Sequence, residues 1–146
     1  MKKDGINKDN IFNLFEDNNV GDIESKTRTT LNDFIKTPYA KIGMFTKLIM
    51  NHEVFHQKLQ KFLKEEEPNY NSSSTKEAGD YSVFNRSWSY IKDIDVTNQN
   101  HIEGILDFNP KIFYKALQDA ILYFESCEQY EKCAHLLKIQ HLVKKF

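Results

Sequence analysis

An all-α fold is what this sequence predicts: a five- or six-helix bundle with one long central helix and a C-terminal helical hairpin. Three observations point there. Glycine and proline are scarce, five and three in 146 residues, which disfavours a turn-rich β fold. Apolar residues recur at a roughly 3.6-residue beat over long stretches. Two cap-plus-proline signatures, Thr37-Pro38 and Asn109-Pro110, each stand directly before such a stretch.

Residues 1–8 are polar, and Asp9 or Asn10 can cap a short helix carrying Ile11, Phe12, Leu14 and Phe15. Asn18 to Thr29 is polar and mixed, with Gly21 as a breaker. Thr30 then opens an apolar-periodic stretch through Leu31, Phe34 and Ile35. From Pro38 to about Glu66 the pattern is one long helix. Ile42, Phe45, Leu48, Ile49, Phe55, Leu59, Phe62 and Leu63 keep its beat, and Asn51 is the place for a bend. Glu65-Glu66-Glu67-Pro68 stops it, with acids at a C-terminus where they oppose the macrodipole. Asn69 to Gly79 is rich in Ser and Asn and poor in apolar side chains, so it reads as a flexible segment. The expected organisation is one domain, 1–146, with an N-terminal helical half (1–66), a flexible linker (67–80) and a C-terminal helical half (81–146).

In that second half Tyr81, Phe84, Trp88 and Ile91 predict a helix behind a cap at Asp80 or Ser82. Asp93 to Gly104 reads mostly as loop, followed by a short apolar patch at Ile105, Leu106 and Phe108. Asn109-Pro110 launches the clearest helix, striped by Phe113, Leu117, Ala120, Ile121 and Phe124. A break near Ser126-Cys127 leads into a last helix from about Glu128 to Lys145, and the two form an antiparallel hairpin.

The composition excludes several function classes. A net charge of −1 supplies no global field for nucleic acid or an anionic membrane. The basic clusters at Lys26-Thr27-Arg28-Thr29-Thr30 and Lys144-Lys145 are short enough to be solvated surface, and a nucleic-acid-binding domain ranks third among the readings. No apolar run approaches membrane length, and Asp4-Gly5 ends the signal-like start Met1-Lys2-Lys3. Cys127 and Cys133 fit neither a zinc knuckle nor a disulfide framework, so they read as small apolar residues in a reducing compartment. The expected location is cytoplasmic. The Lys, Asn, Phe and Ile usage is compatible with an AT-rich genome, a phage or mobile element included.

One pentapeptide spells catalytic chemistry. His52-Glu53-Val54-Phe55-His56 is an HExxH motif, which on a helix sets two imidazoles one turn apart. Zinc can bridge such a pair while the intervening Glu acts as general base on a metal-bound water. Together with Glu77-Ala78-Gly79-Asp80, the span 52–80 resembles the thermolysin-like gluzincin zinc peptidases. The spacing between the two downstream acids is one residue short of that family's pattern. The resemblance implies His52, His56 and Glu77 as zinc ligands, Glu53 as the base and Asp80 as the residue that orients His52. Without it, both histidines sit on the long helix's apolar stripe and read as packed, hydrogen-bonded residues.

The hairpin carries a second resemblance. Residues 117–139, LQDAILYFESCEQYEKCAHLLKI, look like the UVR motif, a helical hairpin of bacterial excision-repair subunits and of some kinase and protease adaptors. It implies protein–protein contact. Within the last helix, Tyr130, Cys133, Ala134 and Leu137 make one stripe, suited to the neighbouring hairpin helix. Leu136, Ile139, Leu142, Val143 and Phe146 make another, left for the N-terminal half, a second copy forming a homodimer, or a foreign partner. The expectation is therefore a non-enzymatic interaction or regulatory protein, an adaptor or inhibitor, with no catalytic residue, metal or cofactor. That second stripe is its partner surface. The alternative is a small zinc metallopeptidase built on residues 52–56.

Overall fold

The computed structural model describes residues 20–69 and 73–145. Its regular elements are all helices: α1 (Val20–Ile35), α2 (Pro38–Glu66), α3 (Ser73–Ile91), α4 (Gln99–Asp107), α5 (Pro110–Ser126) and α6 (Tyr130–Lys144). None is long and apolar enough to cross a membrane. The expected helix at Ile11–Phe15 lies outside the described residues, as does Phe146. The chain divides into two units, Met1–Lys36 and Thr37–Phe146.

In the first unit α1 runs straight through the stretch expected to be broken at Gly21. That residue falls in the first turn, where backbone N–H groups have no intrahelical partner to lose. Thr29 and Thr30 fit the helix by donating their hydroxyls to the carbonyls of Ser25 and Lys26, at 2.9 and 3.0 Å. Leu31, Phe34 and Ile35 are exposed.

In the second unit α2 starts where its cap dictates. The Thr37 hydroxyl accepts from the Ala40 N–H at 3.3 Å, and Pro38 takes the first helical position. It ends because Pro68 drives Glu67 out of the α region, to φ −135° and ψ 98°. This long helix packs against α3, α4 and α5, and α6 packs on α5. Ile42, Phe45 and Ile49 are its share of the core, joined by Ile91, Ile94, Phe113, Leu117, Phe124, Leu136 and Ile139. Phe45 meets Phe113 edge-on at 6.1 Å, and Phe84 stacks on Tyr123 at 4.4 Å.

In this unit two helix boundaries and the buried face of α6 differ from the sequence reading, each for a physical reason. First, α3 begins at Ser73, inside the expected linker, so Asp80 is a mid-helix residue rather than a cap. Few apolar side chains are needed there because Asp80 bonds back to Lys76 at 2.8 Å and across to His52 on α2. Second, α4 occupies part of the expected loop. Asn98 caps it, accepting from the N–H groups of Asn100 and His101. Gly104 lets it cross α2 closely, since a Cβ there would lie 3.0 Å from the Tyr39 nitrogen.

The third concerns α6. Asn109 caps α5 as expected, and the hairpin turn passes through Glu128, whose φ of 59° is left-handed. Beyond it, Leu136, Ile139 and Val143 are buried and Leu142 is half-buried, whereas Tyr130, Ala134 and Leu137 face solvent. Of the stripe expected to meet a partner, Leu136, Ile139 and Val143 are core. Burying these aliphatic side chains gains more than burying Tyr130, which keeps its phenol in water, or Ala134, which has little surface to lose; Cys133 of the first stripe is buried too, and Leu137 stays partly in water.

Candidate functional site

The HExxH helix borders a cleft of about 470 Å³ between α2, α3 and α5. His52, Glu53 and His56 come from α2, Lys76 and Asp80 from α3, and Asp119 and Tyr123 from α5. All arrive on helices rather than loops, so the geometry is set by helix packing. Ile49, Phe84 and Leu122 give the cleft its apolar wall.

His52 is the hinge of this arrangement. Its Nε2–H donates to Asp80 Oδ1 at 2.8 Å, and the other carboxylate oxygen accepts from Lys76 at 2.8 Å. Burial pushes the Asp80 carboxyl up, but the hydrogen bonds and positive charges of Lys76 and His52 outweigh it and hold the group below the usual carboxylate range. The imidazole lies over Gly79: a Cβ there would come within 2.9 Å of His52 Cε1. One turn on, the His56 ring sits 5.9 Å from that of His52, and its Nε2 meets the Gln60 amide nitrogen at 2.9 Å.

Across the cleft Lys115 bonds both oxygens of Asp119, at 3.1 and 3.2 Å, and stands 3.7 Å from Glu53 Oε2. The Asp119 hydrogen bond, aided by Asp119 and Glu53 charge, raises the Lys115 pKa against partial desolvation. Glu53 Oε2 is itself buried without a hydrogen-bond partner. The Tyr123 hydroxyl is pushed up to about 12 by burial, with a further contribution from Cys127.

Of the residues the zinc-peptidase resemblance singles out, the cleft gathers His52, Glu53, His56 and Asp80. Glu77 is exposed on the first turns of α3 and does not line it. Asp80 does hold His52, but through Nε2, and His56 Nε2 is engaged by Gln60. Both Nε2 atoms are thus engaged in hydrogen bonds, and among the described residues no three His, Cys, Asp or Glu side chains form a group placed to hold a metal ion. Asp119 and Tyr123 of the cleft, and Lys115 beside it, carry no sequence signature, because only tertiary packing brings these α5 residues to residues 52–56.

A different surface stands out on the other side of α2. Met44, Phe55 and Phe62 are exposed, Leu48 and Leu59 are half-buried, and the five recur at helical spacing. Phe55 keeps 64% and Phe62 58% of its surface in water, values that belong to no core residue. Comparison with protein-family models, curated proteins and solved structures finds no match to this chain.

Proposed function

We propose that the protein is a small non-enzymatic interaction protein, an adaptor or inhibitor, that docks a larger protein on the solvent face of α2. The observation that carries this reading is the row Met44, Leu48, Phe55, Leu59 and Phe62, with two phenyl rings mostly in water. Covering each large apolar side chain is worth roughly 1.5–3 kcal/mol, a gain that a partner can collect. The face replaces the α6 stripe as the partner surface. Free thiols at Cys127 and Cys133 accord with a cytoplasmic setting for this role.

A photo-crosslinking residue in place of Phe55, in the cell that makes the protein, tests it. A discrete protein adduct is expected, absent when the same group replaces Lys138 on the exposed side of α6. Phe55→Ser with Phe62→Ser should keep the wild-type melting temperature. A drop of roughly 10 °C would mean that both rings are core, and the face would not exist.

The second reading, a small zinc metallopeptidase, rests on the gathering of His52, Glu53, His56 and Asp80 at one cleft. One zinc per chain by elemental analysis, lost in His56→Ala, would favour it over the first.

A further inference from the structure

Up to its last two residues α2 carries mostly positive charge, and it ends in Glu65 and Glu66. Between Pro38 and Lys64 the helix carries Lys41, Lys47, Lys58, Lys61 and Lys64 against a single acid, Glu53, and that acid faces the cleft. Lys41 approaches Asp93 at 3.9 Å. Lys47, Lys58 and Lys61 are exposed and make no ion pair among the described residues. At about 100° per residue these three fall along one edge of the Met44–Phe62 row. On the opposite bank α3 contributes Val83 to a groove of about 370 Å³ shared with Met44, Leu48 and Phe55. Exposed Arg86 follows Val83 by one turn.

We infer that the segment taken by this face is an acidic amphipathic helix of about 18 residues, a conclusion that rests on the interaction reading above. The row from Met44 to Phe62 covers about 27 Å of helix at roughly 1.5 Å per residue, so a helix of the same length matches it. Apolar positions at helical spacing, beside a groove between two helices, are what the apolar side of a third helix fills. The unpaired lysines along the edge then face the partner's flanking positions, where Glu or Asp completes the contact. A second copy is disfavoured by the same charges. In an antiparallel pair the lysine edge of one copy meets the lysine edge of the other.

The test uses the full chain and two synthetic 18-residue peptides with one leucine pattern, flanked by Glu in one and by Lys in the other. Fluorescence anisotropy should show the acidic peptide binding about ten-fold more tightly at low salt, an advantage that shrinks at high salt. Lys47→Glu, Lys58→Glu and Lys61→Glu together should reverse the preference. Phe55→Asp should abolish binding with the melting temperature unchanged. Equal binding of the two peptides, or none, overturns the inference, as does binding that survives Phe55→Asp. Capture by phosphatidylserine vesicles in place of the peptide would make this a membrane face. A concentration-dependent dimer lost in Phe55→Asp would make it a self-interface, and either result also overturns the proposal. A crosslinked adduct at Phe55 without acidic preference sinks the inference alone, while the loss of both removes the interaction reading too.

Discussion

Gly79→Ala should destabilise the protein, although alanine is the better helix former by about 1 kcal/mol. The reason is His52. An added Cβ would stand 2.9 Å from its Cε1, where ordinary contact begins at 3.4 Å, so the ring must retreat by the difference. It is not free to do so, because Nε2 is anchored 2.8 Å from Asp80 Oδ1 on the next residue of the same helix. A hydrogen bond to a charged group is worth about 1.5–3 kcal/mol. The two side chains are only 14% and 17% exposed, so solvent screens this one little. Losing most of it outweighs the propensity gain, for a net loss of about 1 kcal/mol, or about 3 °C in Tm at this chain length. With His52→Ala already present, the added methyl meets no ring, and the same substitution should stabilise by about 1 kcal/mol. The sign reversal is the signature, and the cycle's coupling should be about 2 kcal/mol. Urea unfolding followed by the fluorescence of Trp88, the single tryptophan, measures all four variants. Equal stabilisation in both backgrounds would show that the imidazole does not lie over Gly79.

Two further outcomes follow from described geometry. The folded Asp80 carboxyl is held below its ordinary value of 3.8, so its stabilisation is present above that value and is lost as pH falls through the native one. Wild type should therefore exceed Asp80→Asn by about 1 kcal/mol at neutral pH, with the gap closing in urea titrations as the pH is taken below the ordinary carboxylate range. A gap that persists there would refute the assignment. Glu128→Gly should raise stability by about 1 kcal/mol, because a left-handed φ of 59° costs an L-residue about 1–2 kcal/mol and a glycine almost nothing. No gain in Tm would mean that the hairpin turn does not depend on that conformation.

Much of the helical framework was legible in the sequence because its determinants are local. Thr37 and Asn109 cap the helices they were expected to cap, and the proline after each takes the first helical position. The clearest apolar stripe, Phe113 to Phe124, is buried throughout. What periodicity could not decide was which of two apolar faces a neighbour covers. On α6 the aliphatic stripe turned inward, and on α2 the beat that includes Phe45 and Phe55 divides between core and solvent. The start of α3 was hidden because Ser73 to Gly79 bury no apolar side chain and so leave no stripe to read. A nine-residue polar helix such as α4 offers too short a stripe to read, and its Asn98 cap lies inside the stretch expected to be loop. Within the site, the sequence paired His52 with Asp80 but could not say which imidazole nitrogen would face the carboxylate. That choice depends on the angle at which α3 crosses α2.

Past His56 no side chain of α2 is buried, yet the helix continues for ten residues, from Gln57 to Glu66, or about 15 Å. Backbone amides there should exchange with solvent far faster than those around Phe45, because opening this end exposes little new apolar surface. Phe62, Lys58 and Lys61 belong to that end. Any ligand that grips them selects the wound state from a helix–coil equilibrium, and its apparent dissociation constant rises as the wound fraction falls, doubling when half the molecules are unwound. Glu65 and Glu66 set that fraction from a distance, since negative charge at a helix C-terminus opposes winding. Lysines in their place would tighten binding at Phe62 by raising the occupancy of the competent state, beyond any direct attraction they add for an acidic ligand.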